Sequence, residues 1–310
     1  MAGGTERTLR RRIRSVEATK KITRAFELIA GSQIVRAQGR IAANRPFRQG
    51  MARIVLEAAE GDPAAEELIG APEDPRKVAI VVIVGDRGLS GPYSSSVLRA
   101  TEALVAEHRR RDAEVRIITV GRKAVAYFRF RGRDITRSFT AMSDRPSFAD
   151  ARRVAAELWH QFHADGSELV QVVSTRYRSA GSQSVETRQL LPLPDPTVAD
   201  RRDKGEDRPT PQHVDAQPRG GYTEFEPEGE TLLAHLMPRA LESEIYSALL
   251  EASASEHAAR QRAMAAATEN ADDLVQLLTR TMNRARQDAI TNEIMEIVGG
   301  AEALRTAKGA

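Results

Sequence analysis

The stretch GDRGLSG, residues 85–91, combines three glycines with a carboxylate and a serine hydroxyl, as many phosphate-binding loops do. It follows a run of β-branched residues, which is where such loops occur in α/β proteins. However, it lacks the Lys-Ser/Thr ending of a P-loop, and its glycines do not match the G-x-G-x-x-G spacing. The pattern therefore predicts a tight turn between a strand and a helix rather than a nucleotide site.

Histidines could provide metal ligands in one place. His160 and His163 stand three residues apart on a predicted helix, and Asp165 follows closely. A zinc site needs three or four ligands, but no third histidine lies near in the sequence and the chain has no cysteine. We therefore expect surface histidines, and the sequence predicts no bound metal.

Two pairs of carboxylates, Asp272 with Asp273 and Glu293 with Glu296, could in principle act as acid and base. Catalysis by paired carboxylates requires that the two groups flank a pocket. These pairs instead fall on polar faces of predicted helices, where solvent or a partner protein is the expected neighbour. Nowhere does a nucleophile stand with a base and a group to orient it. The sequence therefore predicts no catalytic residue, no cofactor and a protein that is not itself an enzyme.

Charge and composition narrow the classes of partner. The net charge is only +3, but the first 60 residues hold 13 Lys and Arg against 5 Asp and Glu. This local excess favours an acidic protein surface, nucleic acid or anionic lipid as neighbour. The absence of cysteine excludes disulfides and thiolate chemistry. The longest apolar run, Val78 to Val84, is far shorter than the about 20 residues of a membrane-spanning helix, so no segment is expected to cross a bilayer.

The ends of the chain read as helices. Residues 1–62 repeat apolar side chains at spacings of three and four, first Leu9, Ile13 and Val16, and then Ile22, Phe26 and Ile29. This spacing predicts one long helix, with a bend or break just before Pro46. Residues 228–310 predict a short helix followed by a long one that begins at Pro238, because no further proline follows.

The middle of the chain reads as a different kind of structure. Residues 77–194 alternate apolar, β-branched runs with helical stretches, which predicts a Rossmann-like α/β domain with a parallel or mixed sheet covered on both faces. Residues 195–227 are rich in proline, glycine and charge, and are predicted to form a flexible loop and a foot region.

The stretch AITNEIMEIVGGAEAL, residues 289–304, repeats the 4, 3 spacing of the N-terminal helix. We predict that the two terminal helices pair as a long antiparallel coiled coil, with the α/β domain inserted between them. Residues 252–271 hold nine alanines in twenty, which would let a second helix approach closely. The predicted seam residues are Leu9, Ile13, Val16, Ile290, Ile294, Ile297 and Leu304.

Four segments resemble the gamma subunit of F-type ATP synthases. They are RRRIRSVEATKKITRAFELIAGSQIVRAQ near the start, GDRGLSGPYSSSV after the first strand, ALLEASASEHAARQRAMAAATENA in the last helix, and NRARQDAITNEIMEIVGGAEA at its end. The resemblance covers nearly the whole chain except about residues 195–221. The family signature is met by Ile290, Thr291, Glu293, Glu296, Gly300, Ala301 and Ala303.

This resemblance implies a rotor shaft. The paired helices would fill the centre of a hexamer of alpha and beta subunits, and the α/β domain and foot would rest on a ring of c subunits with epsilon alongside. Proton flow would turn the ring and the shaft, while catalysis stays on partner subunits. The implied location is peripheral, at the cytoplasmic face of a bacterial plasma membrane, without nucleic acid.

The resemblance also implies roles for particular residues. Glu226 matches an acidic position of the foot near the c-ring. The chain departs from the family pattern at Phe26, Gly31, Gln33, Asp288 and Asn292. The residues implied to contact the stator hexamer are Arg260, Arg286, Gln287, Thr291 and Glu296.

From the residues alone, two other classes stay open: a basic coiled-coil scaffold for nucleic acid, and a nucleotide-dependent enzyme built on the α/β domain. We predict that calorimetry of the purified chain with ATP or NAD shows no binding, because residues 85–91 lack the residues that hold phosphates. A saturating heat of binding would support the enzyme class instead. Association with nucleic acid that weakens steeply with salt would support the scaffold.

Overall fold

The computed structural model describes residues 2–59, 70, 72–193 and 229–308. The chain divides into two compact units, one formed by Met1–Gly31 with Arg260–Ala310 and the other by Ser32–Ala259. The secondary-structure elements are α1 (Ala2–Ala59), β1 (Lys77–Ile83), α2 (Tyr93–Arg110), β2 (Glu114–Val120), α3 (Arg122–Phe130), β3 (Arg137–Phe139), α4 (Phe148–His163), β4 (Leu169–Tyr177), β5 (Gln183–Leu191) and α5 (Gly229–Lys308).

The unit Ser32–Ala259 contains a five-stranded sheet of order β3-β2-β1-β4-β5. Strand β1 pairs in parallel with both β2 and β4, β2 pairs in parallel with β3, and β5 is antiparallel to β4. The predicted mixed sheet of a Rossmann-like α/β domain is therefore confirmed. The three-residue edge strand β3 was not predicted, because three residues are too few to show a periodic pattern.

Alternation of side chains along β1 builds a core on each face of the sheet. Ala79, Val81 and Ile83 belong to the cluster that includes residues of α4 and α5. Val78, Ile80 and Val82 belong to the cluster formed with α2 and α3. Since both faces of this central strand are buried, it reads as a continuous apolar run in the sequence.

Both long helices continue through their prolines. The break predicted as one alternative before Pro46 is therefore wrong, whereas the bend stays a prediction. The predicted helix start at Pro238 is also wrong. A proline inside a helix removes one backbone hydrogen bond and costs about 3 kcal/mol. On either side of Pro238, Leu233, Met237 and Leu241 are buried in the core beneath the sheet. Burial of each such side chain contributes about 1.5–3 kcal/mol, which together outweighs the cost of the proline.

In the unit Met1–Gly31 with Arg260–Ala310, α1 and α5 lie antiparallel. Lys20 forms an ion pair with Asp272, and the hydroxyl groups of Thr23 and Thr268 are 2.8 Å apart. The residue numbers of these pairs total 292 and 291. A nearly constant total means that the two chains run in opposite directions in a single register, which confirms the predicted antiparallel coiled coil.

The same register holds within the unit Ser32–Ala259. Arg48 of α1 donates to Glu244 of α5 at 3.3 Å, and these residue numbers also total 292. The two helices therefore keep one alignment in each unit, without the insertion or skip that would change the phase of a coil.

The side chains of α1 that face α5 form a stripe in which successive residues are four or three positions apart. The stripe comprises Leu9, Ile13, Val16, Lys20, Thr23, Glu27, Ala30, Ile34 and Ala37, all half-buried or buried. Ile22, Phe26 and Ile29, which belong to the pattern that predicts the helix, lie outside this stripe and are 57%, 39% and 56% exposed. Ile22 lies six residues beyond Val16, which is about 240° around the helix on another face.

The C-terminal part of the predicted seam is also wrong. Ile290, Ile294 and Ile297 are 48%, 54% and 66% exposed. In a register that totals 292, residue 290 stands opposite Ala2, the first described residue of α1, so the described part of α1 faces α5 only up to this position. The inward positions of α5 end at Ala289 for this reason. The side chain of Leu304 lies outside the described residues.

A disulfide can test this register, because the chain contains no cysteine of its own. We expect the double substitution Thr23→Cys with Thr268→Cys to form an intramolecular disulfide under mild oxidation, since the two hydroxyl groups are 2.8 Å apart. Mobility on a non-reducing gel and mass spectrometry would detect it. Thr19→Cys with Thr268→Cys is the control, because the Thr19 side chain is exposed on α1. Equal cross-linking of both pairs would contradict the register.

Candidate functional site

Asp86 organises the loop between β1 and α2, the stretch that resembles a phosphate loop. Its carboxylate accepts hydrogen bonds from the backbone N–H groups of Arg122 at 3.0 Å and Ser143 at 3.1 Å. Its own backbone N–H donates to the Ser143 hydroxyl at 2.8 Å. The loop acid therefore ties together the segment after β1, the start of α3 and the segment before α4. These bonds serve the fold, as expected for a tight turn.

The surroundings of Asp86 favour its ionised form. Burial by itself would raise the pKa of this carboxyl group. Backbone hydrogen bonds from Ala141, Ser143 and Arg122, with one from the Ser143 hydroxyl, outweigh burial and hold the pKa below its ordinary value. A buried carboxylate with several donors is a stable anchor rather than a proton-transfer group.

An open groove of about 980 Å³ lies beside α3, β3 and α4. Several of its cationic side chains face carboxylates of the same chain: Arg133 with Glu102 at 3.1 Å and Arg137 with Glu157 at 3.8 Å. Because internal carboxylates balance much of this positive charge, the groove does not form a strong site for an anion.

His160 and His163 are both exposed, as expected. His160 lies 3.5 Å from Asp165, and the ring of His163 packs edge-on against Trp159 with centroids 4.1 Å apart. Among the described residues, no group of three or more His, Asp or Glu side chains is placed to hold a metal ion. Of the helices in the described ranges, none is long and apolar enough to span a bilayer.

The described residues near the end of α5 form an exposed surface that is a candidate for binding another protein. We call residues 290–301 the tip; every one of them is exposed. Its large apolar side chains are Ile290, Ile294, Met295, Ile297 and Val298, which are between 48% and 67% exposed. Exposed apolar side chains grouped in this way mark a surface that binds another protein.

Four of the five residues implied to contact a stator are exposed on or next to the tip: Arg286, Gln287, Thr291 and Glu296. Arg260 differs, because it is only 8% exposed and its polar groups are engaged within the chain. Little of its surface is therefore left for another subunit. Glu226, implied to lie in the foot, falls outside the described residues.

The outer surface of α1 in the coiled coil is both apolar and basic. Ile22, Phe26, Leu28 and Ile29 are 39–61% exposed. Arg7, Arg11, Arg12, Arg14 and Lys21 are also exposed. The 4, 3 spacing extended from Leu9 does not include these four apolar residues, so they lie outside the seam.

Residues 252–258 of α5 differ from the exposed outer face of α1, because they lie in the interior of the protein. All seven are buried, including the polar or charged Ser253, Ser255, Glu256 and His257. Sequence analysis expected this alanine-rich segment to allow close approach of another helix. It missed the buried polar side chains, because a polar residue beside alanines in a helix gives no sign of which side will be covered.

Comparison with known proteins identifies the relatives of this chain. A family model described as ATP synthase matches residues 5–304. The ATP synthase gamma chain of Frankia casuarinae is 46% identical over 308 residues, covering 97% of this chain and 98% of the relative. The ATP synthase gamma chain of Parafrankia sp. is 44% identical, with the same coverage.

A solved structure shares the fold at lower sequence identity. It is the rotor in a cryo-EM structure of the Euglena gracilis mitochondrial ATP synthase, with a TM-score of 0.63 and 20% identity. The alignment covers 93% of this chain and 99% of that chain. The similarity therefore extends over both the long helices and the α/β domain.

Asp86 gives a prediction for stability. We expect Asp86→Ala to lower the free energy of unfolding by about 2 kcal/mol, because the buried N–H group of Ser143 and the part-buried N–H group of Arg122 lose their acceptor. Urea unfolding of the purified chain at pH 7 would measure it. Asp134→Asn, on an exposed side chain, should change stability by less than about 0.5 kcal/mol.

The pH dependence of the same site follows from its lowered pKa. The ionised carboxylate stabilises the folded state above the ordinary pKa of 3.8. That contribution is lost as the pH falls through the lower pKa of the folded chain. The difference in stability between wild type and Asp86→Asn should therefore be constant near neutral pH and shrink below about pH 4. A difference that grows on acidification would contradict the assignment.

Proposed function

This chain belongs to the ATP synthase gamma chain family, and we propose that its paired long helices turn inside a hexamer of alpha and beta subunits. As the central-stalk rotor, it couples rotation of a ring of c subunits to ATP synthesis or hydrolysis at sites on the hexamer. The observation that carries this proposal is the tip, a helix end with exposed apolar and polar side chains that α1 is too short to cover.

The polar pairs of the coiled coil suit a shaft that carries torque. Lys20 with Asp272 and Thr23 with Thr268 occupy inward positions where apolar residues would give more stability. Polar groups at such positions fix the register, because sliding by one turn would leave them without partners. Two helices that cannot slide past each other resist twisting better than one helix alone.

Apolar and polar groups of the tip suit a surface that moves against its partner. Apolar contact is not directional, so Ile290, Ile294 and Ile297 can face a surrounding apolar surface at any angle of rotation. Exposed polar groups can exchange partners with water at modest cost as the angle changes. We propose that Arg286, Gln287, Thr291 and Glu296 make these changing contacts with the stator. Arg260 is not kept in this set because it is buried.

The basic outer face of α1 supports an acidic partner surface. Arg11, Arg12 and Arg14 are exposed within one turn of the helix. Charges of opposite sign on the surrounding subunits would speed assembly and disfavour wrong partners. We place these residues against acidic loops of the hexamer.

The remaining parts of the proposal concern the foot and the cell. We propose that Glu226 and residues 195–227 lie near the ring of c subunits, with epsilon beside the α/β domain of residues 77–194. The chain itself carries no catalysis in this proposal, and it works at the cytoplasmic face of a bacterial plasma membrane. The bacterial relatives support this location.

Deletion of residues 290–310 tests the role of the tip. Because residues 290–301 are exposed, we expect the deletion to change the unfolding free energy of the isolated chain by less than about 0.5 kcal/mol. Co-expressed with alpha and beta subunits, the full chain should yield an ATP-hydrolysing complex. The truncated chain should assemble less well or give less torque in a single-molecule rotation assay.

A control separates the tip from the coiled coil. Leu278 is buried in the coil, so Leu278→Ala should lower stability by about 2 kcal/mol or more without altering the tip. If the truncated chain assembles and rotates with full torque, the tip has no mechanical role. If the full chain fails to assemble with alpha and beta subunits, the rotor proposal itself fails.

A further inference from the structure

Residues 252–258 of α5 form a segment that is covered on every side. Each of the seven is at most 3% exposed, although a surface helix normally buries only one stripe. Four of them carry polar or charged side chains: Ser253, Ser255, Glu256 and His257. In the register that totals 292, residues 34–40 of α1 face this segment on one side, and groups of the α/β domain contact it on others. We call residues 252–258 the collar.

Glu256 makes the closest approach between the collar and the loop after β1. A Cβ atom placed on Gly85 would lie 2.7 Å and 3.0 Å from the two carboxylate oxygens of Glu256. No side chain fits at position 85 while the carboxylate stays where it is. Gly88, three residues along the same loop, differs, because a Cβ atom there would lie 3.8 Å from its nearest neighbour, the amino group of Lys123.

Two more segments of the α/β domain hold the collar. The backbone carbonyl of Asp144 accepts a hydrogen bond from the Ser253 hydroxyl at 3.0 Å and lies 3.2 Å from Nε2 of His257. At the start of α2, the Tyr93 hydroxyl donates to the carbonyl of Ala252 at 3.1 Å. These contacts approach α5 from different elements, so the helix is held at several points of its circumference.

Directional bonds at the collar differ in effect from apolar packing. Buried polar groups lose solvation and stabilise a fold less than apolar groups of the same size. Their bonds, however, form at only one angle, so rotation of α5 about its axis would break them. Asp86 reinforces the arrangement, because it ties the loop that carries Gly85 to Ser143, next to Asp144.

We propose that Glu256 is a positioning residue of the rotor, which locks α5 to the α/β domain through its carboxylate seated against Gly85. Torque then passes between the α/β domain and the long helix without slippage. This inference rests on the proposed rotor function and adds to it the joint through which the force is transmitted.

The test uses the complete ATP synthase, including the membrane subunits that conduct the ion, reconstituted in vesicles with this chain as its gamma subunit. ATP hydrolysis and ATP-driven ion uptake are measured on the same vesicles, and their ratio reports coupling. Gly85→Ala displaces the Glu256 carboxylate without altering it, so we expect loss of ion uptake while hydrolysis continues. Gly88→Ala is the matched control, because the same substitution there meets nothing close; it should couple like wild type.

Two further variants keep the test decisive. Glu256→Ala removes the carboxylate that is seated against Gly85, so a complex that assembles normally should lose ion uptake per ATP hydrolysed. Combining Gly85→Ala with Glu256→Asp withdraws the carboxylate by one methylene and should restore part of the coupling lost in Gly85→Ala. A residue needed only for folding would not show such a rescue.

The outcomes separate the two proposals. If the wild-type complex neither assembles nor pumps ions, the rotor function fails. If wild type pumps and Glu256→Ala assembles and couples equally well, the joint is overturned. Should Gly85→Ala prevent assembly, the result for Glu256→Ala decides, because that change introduces no additional atoms into the collar.

Discussion

The single antiparallel register of α1 and α5 is the constraint on which the other features of the molecule depend. Pairs whose residue numbers total 291 or 292 occur in each of the two units, at Thr23 with Thr268 and at Arg48 with Glu244. In this register Ala2, the first described residue of α1, stands opposite residue 290, where the tip begins. The described part of α1 therefore does not cover the apolar side chains of the tip, which are exposed.

The α/β domain and the coiled coil differ in how much of their apolar surface is buried. The sheet is stabilised by apolar side chains that are almost fully buried, with β1 buried on both faces. The coil leaves much of its apolar surface uncovered, including Phe26 and Leu277. A subunit of an assembly needs a stable domain and also a surface that its partner can cover. Here the apolar outer face of the coil is that surface, and the coil gains its remaining stability when a partner covers it.

Secondary-structure elements that depend on local sequence pattern could be predicted from the sequence. Features that depend on contacts between residues far apart in the sequence could not. β1, β2 and β4 follow from their β-branched runs. A helix was expected near residues 147–164, and the structure adds a capping box at Ser147 and Asp150 that fixes the start of α4. The position of Ile290 could not be predicted from spacing alone, because its exposure depends on which residue of α1 stands opposite. Glu256 was missed for the same reason, since its contact lies 171 residues away at Gly85.

Gly31 shows how the register explains a departure from the family pattern. Glycine inside a helix costs about 0.5–1 kcal/mol relative to alanine, so its presence requires a local reason. A Cβ atom at this position would lie 3.2 Å from the side-chain nitrogen of Gln261, whose number again brings the total to 292. The glycine therefore makes room for a long polar side chain at an inward position. Polar groups of the coil thus fix its register at Lys20 and Thr23, and the backbone of α1 accommodates one at Gly31.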